Sequence, residues 1–135
     1  MIEMRVKLDA GASLPTKAYP ADGGYDLRAK SDMAFTEIRP KHSKIFDTGV
    51  HMEIPAGYVG LVLSKSGLDI NHDLVCTSVI DAEYSGSIRV KLYNLGEDPW
   101  YFDGGDKVGQ IVIVEAPEIK LVEVPEISGG ARGNK

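Results

Sequence analysis

Alternation of apolar and polar residues along the chain predicts a series of short β-strands. The clearest case is residues 87–93, where Ile88, Val90 and Leu92 alternate with Ser87 and other polar or aromatic residues. Successive side chains of a strand point to opposite faces, so this stretch is predicted to be a half-buried strand. Shorter patterns of apolar residues predict further strands at residues 4–8, 33–38, 43–48, 50–54, 59–63, 74–77, 99–102 and 107–114.

The segments between these patterns are rich in turn residues. Fifteen glycines and seven prolines among 135 residues suit many turns that join short strands. Residues 78–86 are predicted to be turn-rich, with Gly86 free to adopt an unusual backbone conformation. Ser66 could cap a single helical turn that reaches about Asn71. The pattern therefore indicates one all-β domain with one short helical turn.

The C-terminal part of the chain has a different character. Residues 118–124 alternate as a strand between prolines, and such a strand could pair with a neighbouring chain. The remainder contains Pro125 and several glycines and is predicted to be a flexible arm. We therefore expect a domain at residues 1–124 and an arm at residues 125–135.

Composition excludes some classes of function. The net charge of −5 argues against nonspecific binding to nucleic acid. A single cysteine, Cys76, allows no intramolecular disulfide, and we see no signal peptide or membrane span, so a cytoplasmic protein with no membrane partner is expected. The three histidines, His42, His51 and His72, lack metal-ligand spacing, and no zinc site is expected.

Four short segments carry candidate chemistry, and each also has an ordinary explanation. Asp81 and Tyr84 precede the strand at residues 87–93, where aspartate and glycine are usually turn residues. Asp26 follows two glycines at the entry to a strand. Ser66 could bind an anion or merely cap a helix. Gln110 lies within an apolar run, where a neighbouring strand could satisfy its amide.

Taken in the order in which they occur along the chain, these segments resemble the first four motifs of the trimeric deoxyuridine triphosphatases (dUTPases). Ser64 and Lys65 stand where the second motif usually has Pro and Arg, and Ser78 stands where the third commonly has Gly. Residues 132–135 resemble only the opening of the fifth motif, through Arg132. The matching segments are Gly-Tyr-Asp-Leu at 24–27, Lys-Ser-Gly-Leu at 65–68, Val-Ile-Asp-x-x-Tyr-x-Gly at 79–86 and Gly-Asp-Lys-Val-Gly-Gln at 105–110.

The resemblance implies a jelly-roll-like antiparallel β-barrel that assembles as a homotrimer with shared active sites. It implies hydrolysis of dUTP to dUMP and pyrophosphate, which supplies dUMP and keeps uracil out of DNA. Asp81 would be the catalytic base that activates water for attack at the α-phosphate, and Mg²⁺ would bind the triphosphate, with Asp26 reaching the metal through water. The implied substrate-binding residues are Lys65, Ser66, Gly67, Val79, Ile80, Tyr84, Gln110 and Arg132.

Two alternatives remain open from the sequence. The related dCTP deaminases have a catalytic glutamate on the strand after the Ile-Asp turn, and this chain has Lys91 at the corresponding place. A lysine cannot perform that carboxylate's proton transfers, so deamination is disfavoured. A catalytically silent nucleotide-binding or regulatory protein on the same fold is the second alternative, because a fold does not determine function.

Overall fold

The computed structural model describes residues 1–129, which contain eleven strands and one helix. The predicted strand at residues 87–93 corresponds to β9. The elements are β1 (Val6–Leu8), β2 (Tyr25–Arg28), β3 (Thr36–Ile38), β4 (Ser43–Asp47), β5 (Val50–Met52), β6 (Tyr58–Leu63), α1 (Ser66–His72), β7 (Leu74–Val75), β8 (Thr77–Ile80), β9 (Arg89–Asn94), β10 (Trp100–Phe102) and β11 (Lys107–Glu115).

All strand pairs are antiparallel, and they form four sheets within the described residues. The largest has the order β2-β11-β6-β8, and a second has the order β4-β9-β7. Two-stranded sheets of β1 with β5 and of β3 with β10 complete the architecture. The prediction of an antiparallel all-β fold with one short helix is confirmed. In residues 1–129, no helix is long and apolar enough to cross a membrane.

One hydrophobic core lies between the sheets, and β9 together with the residue before it, Ile88, contributes the most regular face to it. Ile88, Val90 and Leu92 are fully buried, whereas Arg89 and Lys91 are exposed, as the alternation predicts. Phe46 of β4 meets Phe102 of β10 edge to face in this core, with ring centroids 5.1 Å apart. Other fully buried apolar side chains are Leu27, Ile38, Val50, Val62, Leu74, Val108 and Ile111.

Two strand boundaries differ from the sequence-based prediction. Residues 78–80 belong to β8, so the turn-rich segment begins at Asp81 rather than at Ser78. The reason is pairing with β6, which aligns Leu63 with Thr77 and Gly60 with Ile80. Residues 118–124 form no strand in this chain, and their apolar side chains are exposed. Alternation alone does not form a strand unless the segment pairs with another strand.

The helix α1 begins one residue earlier than expected. Lys65 is the N-cap residue and makes no side-chain capping bond, so Ser66 is the first helical residue and its predicted role as a cap is wrong. The helix ends at His72, and the C-cap residue Asp73 has a left-handed backbone with φ of 55° and donates its N–H to the Asp69 carbonyl. The short helix therefore projects from the end of β6 with Ser66 exposed.

Candidate active site

A buried carboxylate with two lysines lies where β2, β11 and the end of β6 meet. Asp26 is only 5% exposed, and its two oxygens pair with different ammonium groups. Oδ1 accepts from Lys65 Nζ, and Oδ2 lies 3.1 Å from Lys107 Nζ. Burial raises the pKa of the Asp26 carboxyl, but the bonds to both lysines outweigh it and leave the pKa below its ordinary value. We call these three residues the lysine cluster.

Gln110 extends this end of the sheet. It pairs across β11 and β2 with Asp26, and its side-chain Nε2 donates to the Ser64 carbonyl at 2.9 Å. Gly24 lies against the same amide, because a Cβ at position 24 would overlap Gln110 Oε1. The ordinary explanation for Gln110, a side chain satisfied by a neighbouring strand, therefore holds for its donor. The second glycine before Tyr25 is needed for close approach.

Ser66 and Gly67 lie directly after the lysine cluster residue Lys65. Both are exposed, and a Cβ at Gly67 would meet open space. No side-chain hydrogen bond of Ser66 is found among residues 1–129. The exposed Ser66 hydroxyl and the half-buried Lys65 therefore face a region that an anion could occupy.

A small cavity of about 240 Å³ lies beside β8 and holds the second group of candidate residues. The strand β8 is at the edge of its sheet and has a strand partner on one side only among the described residues. An edge strand presents unpaired N–H and C=O groups, which could pair with the edge of a base. The cavity is lined by Ser78, Val79, Ile80, Asp81, Tyr84 and Arg89.

The loop at residues 81–87, which we call the pocket loop, holds Asp81 and Tyr84 at this cavity. Asp81 is exposed and its carbonyl accepts the Tyr84 N–H. The Tyr84 hydroxyl donates to the Ser87 carbonyl at 2.8 Å, which folds the ring back across the loop. Glu83, not Gly86, has the unusual backbone, with φ of 72°. Gly86 is required for a different reason, because an added Cβ would lie 2.5 Å from the Tyr84 hydroxyl.

The two groups of candidate residues lie at opposite ends of the same strand pair. Thr77, at the start of β8, is opposite Leu63, just before the lysine cluster, whereas Ile80 is opposite Gly60 and leads into Asp81. Three residues of strand separate these ends by about 10 Å along the strand direction. The structure thus brings Asp26, Lys65 and Gln110 together and Val79, Ile80, Asp81 and Tyr84 together. Arg132 lies outside the described residues.

Several site residues were missed by sequence reasoning. Lys107 occupies the position at which the fourth motif usually has Arg, and this was the signal that could have identified it. Arg89 is the first residue of β9 and lines the β8 cavity. The alternating pattern of this strand indicated that Arg89 points outward, but it did not place Arg89 at the cavity. The two glycines before Tyr25 indicated a close approach to the chain, but they did not indicate its partner, because the contact of Gly24 with Gln110 joins residues far apart in sequence.

Asp26 is the candidate protein group for contact with Mg²⁺. No group of three or more His, Cys, Asp or Glu side chains converges within residues 1–129. Mg²⁺ commonly keeps several waters and uses few protein ligands when phosphates are present. A carboxylate has about four lone-pair sites. The two lysines therefore leave Asp26 able to accept from a metal-bound water, and the residues fit the contact through water that the resemblance implies.

An antiparallel all-β domain with a strand-edge cavity, an exposed carboxylate and a lysine cluster defines a class of proteins suited to bind an anionic ligand with a planar base. The dUTPase family model matches residues 10–135, and the chain belongs to this family. The deoxyuridine 5'-triphosphate nucleotidohydrolase of Corynebacterium glutamicum is 37% identical over 134 residues, covering 96% of this chain and 88% of that protein. The enzyme of the same name from Chlamydia muridarum is 34% identical, with 94% and 90% covered.

Solved structures agree with this assignment. A mutant dUTPase of Staphylococcus bacteriophage 80alpha, solved with dUpNHpp, superposes with a TM-score of 0.90 at 27% identity and covers 100% of this chain and 96% of that chain. A mutant dUTPase from phage phi11 of S. aureus, solved to describe the coordination of a structural Mg(II) ion, gives a TM-score of 0.85 at 26% identity. It covers 95% of this chain and 100% of that chain.

Proposed function

We propose that this protein hydrolyses dUTP to dUMP and pyrophosphate. Membership of the dUTPase family supports the reaction, and the cavity beside β8 is the observation that carries the proposal for substrate recognition. Uracil presents an acceptor, a donor and an acceptor along one edge. The edge of β8 near Val79 and Ile80, which has no strand partner among residues 1–129, offers outward-facing backbone donors and acceptors. In this proposal Tyr84 packs against the deoxyribose and excludes a 2'-hydroxyl.

Asp81 is proposed as the general base. Its carboxylate is exposed beside the cavity and is held by the pocket loop, so a water molecule can reach it. A carboxylate that takes a proton from water makes that water a nucleophile, for a gain of typically ~10²–10⁴ in rate. The water attacks the α-phosphorus, the bond to the bridging oxygen breaks, and pyrophosphate leaves while Asp81 retains the proton.

The lysine cluster and its neighbours are proposed to bind the phosphates. Lys65 and the Ser66 hydroxyl can donate to phosphate oxygens, and Gly67 leaves room for them. Gln110 and Asp26 are proposed to orient water near the phosphates, and Arg132 to contact the terminal phosphates. Mg²⁺ on the triphosphate would neutralise part of its charge. Lysine at positions 65 and 107 supplies point charges and lacks the planar fork of arginine.

Asp81→Asn tests the catalytic assignment. The amide is nearly isosteric with the carboxylate but cannot accept the proton of water, so we expect turnover of dUTP to fall by about 10²-fold or more while binding changes little. Pyrophosphate release at saturating dUTP and Mg²⁺ measures turnover, and calorimetric titration with dUpNHpp measures binding. Near wild-type turnover in Asp81→Asn would remove Asp81 from the mechanism.

We further infer a homotrimer whose active sites are shared between chains. The separation of the lysine cluster and the β8 cavity at opposite ends of one strand pair supports this arrangement. The exposed apolar side chains of residues 118–124 support it as well, because they could be covered by a neighbouring chain. A monomer mass in light scattering at micromolar concentration would contradict the trimer.

Mixing two inactive variants tests the sharing directly. Asp81→Asn removes the proposed base and Lys65→Ala removes a proposed phosphate contact, at opposite ends of the strand pair. If each site takes these residues from different chains, random co-assembly restores about a quarter of the sites. If both residues serve the same site from one chain, the mixture stays as inactive as its parents.

A further inference from the structure

His51 connects the pocket loop to two other segments. Its Nδ1 lies 2.8 Å from the Ser85 carbonyl oxygen, and its Nε2 lies 3.0 Å from Asp9 Oδ2. The imidazole is held on β5 with 24% of its side chain exposed. Both partners are acceptors, and only the protonated ring carries two N–H groups. The two contacts can therefore be hydrogen bonds at the same time only while His51 is charged.

The surroundings of His51 favour this charged form. The bond to the Ser85 carbonyl and the bond to Asp9 raise the pKa of the ring, and they outweigh partial burial and the charge of Lys7, which lies opposite His51 on β1. Asp47, at the end of β4, is a further negative charge that interacts with His51. His51 lies in a groove between β1, β5 and the pocket loop. The remaining charged groups that line this groove are Glu3, Arg5, Glu53 and Glu83, of which Arg5 and Glu53 pair with each other.

Loss of the proton would affect the two contacts differently. A neutral ring has one N–H, and a carboxylate is a stronger acceptor than a carbonyl, so the proton stays on the nitrogen that faces Asp9. The lone pair of Nδ1 then faces the Ser85 carbonyl oxygen, and that contact becomes repulsive. The C-terminal end of the pocket loop remains tied, because Ser87 Oγ donates to Asp47 and the Ile88 N–H donates to the Val50 carbonyl. The change is therefore confined to Ser85 and its neighbours, of which Tyr84 is the first.

We propose that His51 is a positioning residue, whose protonated ring fixes Ser85 and so holds Tyr84 at the cavity for nucleotide binding. The proposal rests on the proposed function in taking this cavity as the nucleotide site. Because the proton is bound at low pH, the contact is present at mildly acidic pH and is lost as the pH rises through the pKa of His51. Nucleotide binding is then weakened about 3- to 10-fold, the effect of one hydrogen bond.

Binding of dUpNHpp to the wild type and to His51→Ala, measured by calorimetry from about pH 6 to pH 9, tests the proposal. The ligand titrates equally in both experiments, so the ratio of the two Kd values isolates His51. We expect the Kd of His51→Ala to be about 3 to 10 times that of the wild type at the acidic end, and this ratio should fall towards 1 at the alkaline end. A ratio near 1 throughout, or a ratio above 1 that does not change with pH, would overturn the proposal.

Three additional measurements separate the possible outcomes. His51→Gln retains one uncharged donor, and its Kd should differ from that of His51→Ala without following the pH dependence of the wild type. His42→Ala is the matched control, because this exposed histidine contacts Pro40 instead of the pocket loop and should keep the wild-type profile. An NMR titration should show a midpoint for His51 above about 6.5 that falls in Asp9→Asn. If no uridine nucleotide binds to the wild type, the proposed function fails instead.

Discussion

Replacing Asp26 by asparagine removes the charge that pairs with both Lys65 and Lys107. The bond to Lys65 is largely shielded from solvent and, as a charge-assisted hydrogen bond, contributes ~1.5–3 kcal/mol. Lys107 is 43% exposed, and screening by water reduces its contribution to ~0–1 kcal/mol. The amide oxygen keeps part of the acceptor capacity. We therefore expect Asp26→Asn to lower the free energy of unfolding at neutral pH by about 2–3 kcal/mol.

The loss should depend on pH in a defined direction. The folded-state pKa of Asp26 lies below its ordinary value, so its ionisation stabilises the fold above the unfolded-state pKa of about 4. This stabilisation disappears as the pH falls through the folded-state pKa. The difference between the wild type and Asp26→Asn should accordingly be full at neutral pH and should shrink towards zero in strong acid.

Urea unfolding at a single protein concentration measures this difference, because the stability of an oligomer depends on concentration. With a slope of ~1.5–2 kcal/mol per molar urea, the midpoint at neutral pH should fall by about 1–2 M. Asp98→Asn is the matched control, since Asp98 is exposed and its replacement should change stability by less than about 0.5 kcal/mol. An equal loss for Asp26→Asn at neutral and strongly acidic pH would show that packing, not charge, is responsible.

Three other substitutions or treatments have defined outcomes. Ser66→Ala should leave the urea midpoint unchanged but weaken dUpNHpp binding by about 10-fold or more, because one charge-assisted hydrogen bond is worth ~1.5–3 kcal/mol. A loss of stability without a loss of binding would assign the hydroxyl a structural role. Tyr84→Ala should narrow the gap between dUTP and UTP turnover, whereas Tyr84→Phe keeps the ring and should preserve it; an unchanged gap in Tyr84→Ala would contradict the sugar contact. Burial raises the pKa of Cys76 to about 11, so iodoacetamide should label it slowly at neutral pH unless urea is added. Rapid labelling of the folded protein would contradict this environment.

Sequence patterns predicted a strand well where one of its faces is buried and the other is exposed. On β9 the apolar residues Val90 and Leu92 are buried and the intervening charged residues are exposed. The prediction failed at residues 78–80, because serine, valine and isoleucine followed by the turn that begins at Asp81 do not reveal that β6 supplies a partner. Pairing between distant segments decides such boundaries, and local propensity does not contain it.

The candidate site shows the same limit. The resemblance identified Asp26, Lys65 and Gln110 one by one, but their contacts join segments that are distant in sequence, as in the pair of Asp26 and Lys107. The pocket loop was predicted from its turn residues, yet the left-handed residue is Glu83 and the glycine at 86 serves the Tyr84 ring. Turn composition indicates that the chain bends, and the neighbouring side chains decide which residue takes the strained conformation.

Residues 118–124 show the limits of the sequence pattern both for strand assignment and for the candidate site. Their alternation predicts a strand, but the described chain leaves Ile119, Leu121 and Val122 exposed, at 71%, 91% and 66%. An apolar stripe of this kind buries little surface against its own chain, so its pattern becomes useful only when another surface covers it. A second chain would provide that surface in the proposed trimer. The same assembly would bring the lysine cluster of one chain near the β8 cavity of another, so one association would explain both the exposed stripe and the divided site.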